Sequence, residues 1–266
     1  MSHYTVAVII PASAILPPDE LPLVTPDDVS DLVDAALEPF DENLVVDPYS
    51  NPVDAFHLSL LIKLACEKGL LLIPEGIAEQ PSELKASNEW VRALTEAVGI
   101  GALLEACSAV SHDEGLHIDS TGEIAQLTSV NPQGRWDWFT TGGRWSGKFD
   151  PQRGRDALRI SEIDWADLEQ RALVAAAEQW DALAENAPEK LEGRDRASFI
   201  ASESKTYLPT AALLTPDGEW HEPSRIGWFG TSHSETMSEA DWARFWTETV
   251  QSQDEDSVLV LVDCHT

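Results

Sequence analysis

The stretch YTVAVIIP, residues 4–11, predicts a buried β-strand that opens the fold. Its apolar run is rich in β-branched residues and stops at Pro11, which is typical of a strand. A second strand is predicted at the far end of the chain, in SVLVLVDCHT, residues 257–266. Because side chains of a strand alternate between faces, two sets are expected here: Leu259, Leu261, Asp263 and His265 on one face, and Val258, Val260, Val262 and Cys264 on the other.

Helices and one hairpin are predicted between these two strands. The first helix begins with Thr25 as its N-cap and Pro26 at its first position, followed by an apolar stripe. Two further helices are indicated at 165–187 and at 238–250 by their periodic apolar residues, and Ser238 and Asp241 at the start of the second have capping-box spacing. Residues 215–218, Thr-Pro-Asp-Gly, have the composition of a tight turn between two strands.

Residues 51–110 differ from their surroundings because they carry helix starts and little strand character. We therefore expect a helical insertion at 51–110 within a single α+β domain that spans residues 1–266. The predicted architecture is a ferredoxin-like sandwich, in which helices lie on one face of an antiparallel or mixed sheet.

Charge is the most unusual property of the composition. The chain of 266 residues carries 47 Asp and Glu against 17 Lys and Arg, which gives a formal net charge of −30. Such a surface repels nucleic acid and anionic membranes and favours a basic partner. We therefore expect no direct nucleic-acid binding and no membrane contact, and a basic host protein is one class of partner.

The cellular compartment is predicted from the cysteines and the N-terminal segment. Three scattered cysteines, without a C-x-x-C pair, do not make a disulfide framework and fit a reducing cytoplasm. Prolines interrupt the N-terminal apolar run before it reaches membrane-spanning length, and no Lys or Arg precedes it. The prediction is a cytoplasmic protein without a signal peptide or a transmembrane helix.

One segment of this acidic chain carries a positive net charge. Residues 131–160 hold six cations and three anions, and within them RWDWFTTGGRWSGKF, residues 135–149, combines three tryptophans with two adjacent glycines. Guanidinium groups pair with phosphates or carboxylates, and indole faces stack on planar groups or cations. The candidate ligand-binding residues of this stretch are Trp136, Trp138, Gly142, Gly143, Arg144 and Trp145. Strand alternation would put Trp136 and Trp138 on one face and Asp137 on the other, and the glycines would allow the backbone to approach a ligand.

A second block and the C terminus add polar candidates. The segment DGEWHEPSRIGWFG, residues 217–230, repeats tryptophan, glycine and charged residues in a turn-rich setting, and it contributes Trp228 to ligand binding. Asp263 and His265 on one strand face can orient an imidazole for acid–base work. Together with His221 they are the candidate catalytic residues.

Each of these patterns also has a purely structural interpretation. The arginines can pair with neighbouring acids, and tryptophans at strand spacing can form core. No phosphate loop or dinucleotide-binding motif occurs, so the cofactor is unknown at this point. No Cys or His ligands occur at the close spacing of a zinc site, which leaves only a long-range set of His221, Asp263 and His265, and no metal is predicted.

Several segments together resemble a family of uncharacterised proteins frequent in bacteriophages and prophages. They are the N-terminal strand at 5–10, PFDEN at 39–43, NPQGRWDWFTTGGRWSG at 131–147, TPDGEWHE with GWFG at 215–230, and DCH at 263–265. The resemblance covers residues 1–48 and 128–266, and the helical stretch between them departs from it. It implies no established activity, but it groups the motifs selected above.

These patterns predict a phage- or prophage-related protein that binds an anionic, nucleotide-like ligand in a pocket lined by tryptophan and arginine. Two alternative functions are compatible with the same sequence. An acidic interaction protein would mimic nucleic acid or inhibit a host protein through its carboxylates. A hydrolase would act on a phosphate-containing ligand, and product formation distinguishes it from a binder.

Overall fold

The computed structural model describes residues 3–77, 84–111, 116–226, 232–235 and 237–266. In chain order the strands are β1 (His3–Ile10), β2 (Val45–Pro52), β3 (Leu116–Ile118), β4 (Ile124–Val130), β5 (Trp138–Thr141), β6 (Ala157–Arg159), β7 (Ala212–Leu214), β8 (Trp220–His221), β9 (Ser224–Ile226), β10 (Ser232–Glu235) and β11 (Val258–His265). The helices are α1 (Pro26–Leu37), α2 (Ala55–Glu67), α3 (Leu84–Val98), α4 (Ile100–Ser108), α5 (Trp165–Asn186), α6 (Arg196–Glu203) and α7 (Glu239–Gln251). The predicted α+β class is confirmed.

The chain divides into two compact units. The first unit combines Met1–Leu44 with Asn131–Thr266, and the second is the intervening segment Val45–Val130. Each unit contains both helices and strands and has its own cluster of buried apolar side chains.

The main sheet of the first unit has the strand order β5-β11-β1-β7-β8, and β6 also pairs with β11. Its central pair consists of the two strands predicted at the ends of the chain, whose pairing the sequence did not indicate: β1 and β11 run antiparallel, with His3 opposite His265 and Ile10 opposite Val258. The other neighbour of β1 is β7, which runs parallel to it. The sheet is therefore mixed, and its centre joins the two termini of the unit.

Helices cover both faces of this sheet. On one face, α1 packs against the even-numbered residues of β1 and β11, such as Val8 and Val260. On the other face, α5 and α7 pack against odd-numbered residues such as Ile9 and Leu261. The predicted alternation in β11 is confirmed, whereas the expectation of helices on one face only is wrong. Both strands are apolar on both faces, so each face needs a helical layer to exclude water.

Local sequence signals explain where several elements begin and end. The predicted Thr25 cap of α1 is confirmed, and it forms a reciprocal box in which the Thr25 N–H donates to Asp28 Oδ2 at 2.8 Å. The turn predicted at 215–218 joins β7 to β8, and the Gly218 N–H donates to the Thr215 carbonyl at 2.9 Å. Helix α7 begins at its predicted cap, where Ser238 Oγ accepts from the Asp241 N–H.

The second unit consists of α2, α3 and α4 with a three-stranded antiparallel sheet of order β2-β4-β3. The three helices lie inside the range 51–110 that the sequence marks as helical. The strands lie mostly outside that range. Strand β2 was not predicted, because its sequence VVDPYSNP contains two prolines. No helix in the described ranges of either unit has the length and apolar content needed to cross a membrane.

Candidate functional site

Three of the sequence motifs meet at one corner of the first unit. The PFDEN segment contacts the stretch before β5 through its backbone, since the Arg135 N–H donates to the Phe40 carbonyl and the Glu42 N–H donates to the Trp136 carbonyl, both at 2.8 Å. The Asn131 amide donates to carbonyls of the same segment. Strand β5 then pairs with the end of β11, which places Trp138 opposite His265. We call this region the Trp138 corner.

Two histidine–carboxylate pairs form its polar centre. His3 Nδ1 lies 2.9 Å from Asp263 Oδ1, and His265 Nδ1 lies 2.6 Å from Asp137 Oδ1. The Asp263 and His265 side chains are almost fully buried. Because a carboxylate accepts, each Nδ1 carries the proton and Nε2 is the basic nitrogen of the neutral ring. This is the arrangement by which an aspartate orients a histidine for proton transfer.

Trp138 covers these imidazoles with a face that solvent reaches. Its ring stacks on His265 with centroids 5.2 Å apart and an interplanar angle of 18°. The His3 ring meets Trp138 and His265 edge-on, at 5.2 and 5.0 Å. Trp138 is 44% exposed. An exposed indole backed by oriented imidazoles provides a surface for a planar ligand.

The adjacent glycines let the chain pass close to buried carboxylates. Gly142 and Gly143 have φ angles of +72° and +53°. A Cβ at Gly142 would overlap the Asp156 carboxylate, and one at Gly143 would overlap Asp263. The space beside these glycines is therefore occupied by the protein's own carboxylates. The turn that they make brings the Arg144 N–H to Asp263 Oδ2 at 3.1 Å.

The electrostatics of the Trp138 corner are mixed. Burial raises the pKa of the Glu42 carboxyl, and the carboxylates of Asp137 and Asp41 raise it further. Arg144 is exposed, and its guanidinium forms no ion pair with any residue in the described ranges. Its charge is therefore not neutralised by a described carboxylate.

Trp136 does not share a surface with Trp138, although the sequence analysis placed both on one strand face. Strand β5 begins only at Trp138, so the alternation does not extend back to Trp136. Trp136 is instead buried on the α1 side of the sheet, where its Nε1 donates to the Leu37 carbonyl and its ring meets Phe139 edge-on. Trp145 is half-buried and packs against the cluster beneath α5 and α7. Trp136 is core, as the structural interpretation of the tryptophans allowed.

His221 lies apart from the other two candidate catalytic residues. It sits on β8, and β1 and β7 separate that strand from β11, a distance of roughly 14 Å at normal strand spacing. Its ring lies 5.0 Å from that of Phe245, and its Nε2 is 3.5 Å from Thr215 Oγ1. Asp263 and His265 do share a face, but each pairs with a different partner. Trp228 falls outside the described residues.

Several arginines of the basic window have structural roles. Arg155 bonds to Asp150 and to Glu162, both at 2.7 Å. Arg159 is buried and donates to the carbonyls of Leu16, Leu21 and Asp256, so it joins the loop before α1 to the loop before β11. For these residues the alternative that arginines hold the fold together is confirmed.

Sequence reasoning missed His3 and misassigned Asp137, which it placed on the opposite strand face from Trp138. The position of His3 follows from the antiparallel register of β1 and β11, which no local pattern specifies. Among the described residues, no three His, Cys, Asp or Glu side chains are placed to hold a metal ion.

Comparison with known proteins gives no relative from which a function could be transferred. No protein-family model matches the chain, and neither a curated protein nor a solved structure is significantly similar to it. The function is therefore argued from the geometry of the site alone.

Proposed function

We propose that the protein binds a planar, anionic, nucleotide-like ligand at the Trp138 corner. The observation that supports this most directly is the half-exposed Trp138 ring stacked on His265, with His3 at its edge. A base stacked on an indole face gains about 1–3 kcal/mol of binding free energy. Arg144, exposed and anchored through its backbone to Asp263, supplies the contact to the anionic group.

The histidines give this site an acid–base edge. Asp263 holds His3 and Asp137 holds His265, so both rings keep one tautomer and one orientation. His3 is the more accessible of the two, with a side chain 12% exposed against 6% for His265. If the bound ligand is hydrolysed, His3 is the residue that can take a proton from water.

Native mass spectrometry with adenosine and guanosine mono- and triphosphates tests the binding. We expect adducts with the wild type and with Arg153→Ala, which removes an exposed arginine of the same window outside the corner. Trp138→Ala should abolish the adducts, and Arg144→Ala should weaken them about tenfold, the effect of one lost charge-assisted hydrogen bond. Absence of wild-type adducts, or unchanged adducts with Trp138→Ala, would refute the proposal.

The same samples separate a hydrolase from a binder. Product formation by the wild type that His3→Gln abolishes, with the adduct retained, would establish hydrolysis. Bound but unchanged ligand would establish a binding protein. Membership of the phage-associated family is part of this proposal, because the motifs 39–43, 131–147 and 263–265 that carry the resemblance are those that form the corner.

A second candidate function, an acidic interaction protein, is favoured by a groove on the α1 side of the sheet. The groove has a volume of about 530 Å³, and the described residues that line it include four carboxylates, no cation and the rings of Trp136 and Phe139. Carboxylates over aromatic rings suit the Lys or Arg side chains of a basic partner. A lysine-rich peptide should bind in a salt-dependent manner that Asp31→Asn with Asp34→Asn weakens and Arg144→Ala does not.

A further inference from the structure

A separate pocket lies at the other end of the tryptophan-rich stretch, between residues 148–149, helix α5 and the segment after α6. Its volume is about 270 Å³. Phe149, Leu168 and Leu208 provide most of its apolar wall. A pocket of this size lies just below the usual range for small-molecule sites, so it suits only a compact ligand.

Two cations line this apolar pocket. Lys148 is half-buried, and its Nζ donates to the Tyr207 carbonyl at 2.7 Å, which leaves two further N–H donors. In the described part of the chain, no carboxylate lies within ion-pair distance of Lys148. Burial, with a smaller contribution from the positive charge of Arg171, lowers the pKa of Lys148 to about 8.

Arg171 leaves a donor unused. Its Nε donates to Asp167 Oδ2 at 2.9 Å, one turn earlier on α5. Its Nη2 is buried and has no hydrogen-bond partner within the ranges that the structure describes. Folded proteins rarely bury a donor without an acceptor, because the group loses its hydrogen bonds to water and gains none in return. Arg171 also lines the pocket, so its guanidinium places a second positive charge beside Lys148.

We propose that this pocket is a second ligand site, independent of the Trp138 corner, for a small anion that carries a compact apolar group. The anionic head, a carboxylate or a phosphate monoester, accepts from the free Lys148 N–H groups and is attracted by the positive charge of the Arg171 guanidinium. The apolar part packs against Phe149, Leu168 and Leu208. Lys148 then gains an acceptor and a counter-charge that the protein itself does not supply.

Isothermal titration calorimetry with three matched probes tests the site: benzoate, phenyl phosphate and the uncharged benzamide. We expect at least one of the anions to bind and benzamide to bind at least tenfold more weakly, since it lacks the charge. The anion that binds more tightly identifies the head group. Binding of benzamide equal to that of both anions, or no binding of either anion, would overturn the proposal.

Two variants probe the site by different routes. Lys148→Met removes the charge and keeps the length of the side chain, and it should weaken anion binding at least tenfold. Ala175→Phe, at the pocket wall, leaves both cations in place and fills the space, and it should abolish binding. Unchanged binding with both variants would place the probe elsewhere, which also overturns the proposal. Circular dichroism spectra establish that each variant is folded.

Controls separate this site from general charge effects and from the Trp138 corner. Arg153→Gln removes a cation of the same window outside the pocket and should bind benzoate or phenyl phosphate like the wild type. Trp138→Ala should also bind the probe like the wild type. The proposals for the two sites can therefore be refuted separately. Affinity should fall as the pH rises from 7 to 9, because Lys148 loses its proton. The charged groups around Lys148 are Arg171 and, behind it, Asp167.

Discussion

The two units of the chain differ in how far the apolar residues of their strands are buried. In the first unit, every residue of β11 from Val258 to His265 is buried, as is nearly all of β1. In the second unit, Val45 and Val130 face each other across β2 and β4, yet they are 78% and 62% exposed. An apolar residue of a strand is therefore buried only where a second layer covers it, and strand formation alone does not exclude water.

The difference follows from how many helical layers each sheet receives. The first unit covers one face with α1 and the other with α5 and α7. The core of the second unit combines residues from α2, α3 and α4 with Leu116 and Ile124 of its sheet. Leu127, the neighbour of Gln126 on β4, stays 49% exposed. A small unit buries a smaller fraction of its surface, which is the general consequence of its size.

The largest expected effect comes from replacing one leucine in the sheet of each unit. Leu261→Ala in β11 opens a cavity in a fully buried layer, and it should lower the free energy of unfolding by roughly 3–5 kcal/mol. Leu127→Ala in β4 removes a side chain that is half in water, and its effect should stay within about 0.5 kcal/mol. Urea unfolding followed by circular dichroism measures both. Losses of equal size would show that burial does not distinguish the units.

A smaller effect is expected from a matched pair of glycines. Gly143→Ala introduces a Cβ at a positive φ and against Asp263, so we expect a loss of roughly 2–4 kcal/mol of unfolding free energy. Gly122 in the second unit also has a positive φ, of +88°, but no atom of the described residues lies within 4 Å of its Cβ position. Gly122→Ala should therefore cost only the backbone strain, about 1–2 kcal/mol. Thermal unfolding of the two variants measures the difference. Equal unfolding midpoints would contradict the expected larger loss for Gly143→Ala.

The smallest effect concerns pH and Lys148. Its folded-state pKa of about 8 lies below the usual value of 10.5, so folding disfavours the charged form. The cost is fully present below pH 8 and is relieved as the pH rises from 8 to about 10.5, where the unfolded chain binds more protons. Over this window the wild type should gain on the order of 1 kcal/mol of stability relative to Lys148→Met. Lys63→Met, an exposed lysine of α2, should instead follow the wild type.

Local signals account for most of the first unit. Continuous apolar runs predicted β1 and β11, and caps predicted α1 and α7, because these signals act between residues close in sequence. The strands of the second unit were harder to predict from the sequence. Its strand β2 carries two prolines and mostly exposed side chains, so it shows neither an apolar run nor alternation.

The candidate site was predicted only in part. Trp138, Arg144, Asp263 and His265 do come together, and so do the glycines between them. Trp136 was assigned to the wrong surface because the start of β5 depends on its pairing with β11. His221 lies on a strand that two others separate from β11. The positions of Trp136 and His221 depend on which strands are neighbours in the sheet, and a short stretch of sequence does not specify this order.

The sequence by itself determined the strands at the two ends of the chain, the three helices that cover them and the concentration of tryptophans and cations in one window. These depend on side-chain size, periodicity and charge, which are properties of neighbouring residues. Only the tertiary structure decided that His3 pairs with Asp263, that Asp137 pairs with His265, and that Lys148 meets Arg171 in an apolar pocket. Each of these contacts joins segments that are distant in sequence, and only the packing of the sheet and its helices brings them within hydrogen-bonding or electrostatic range.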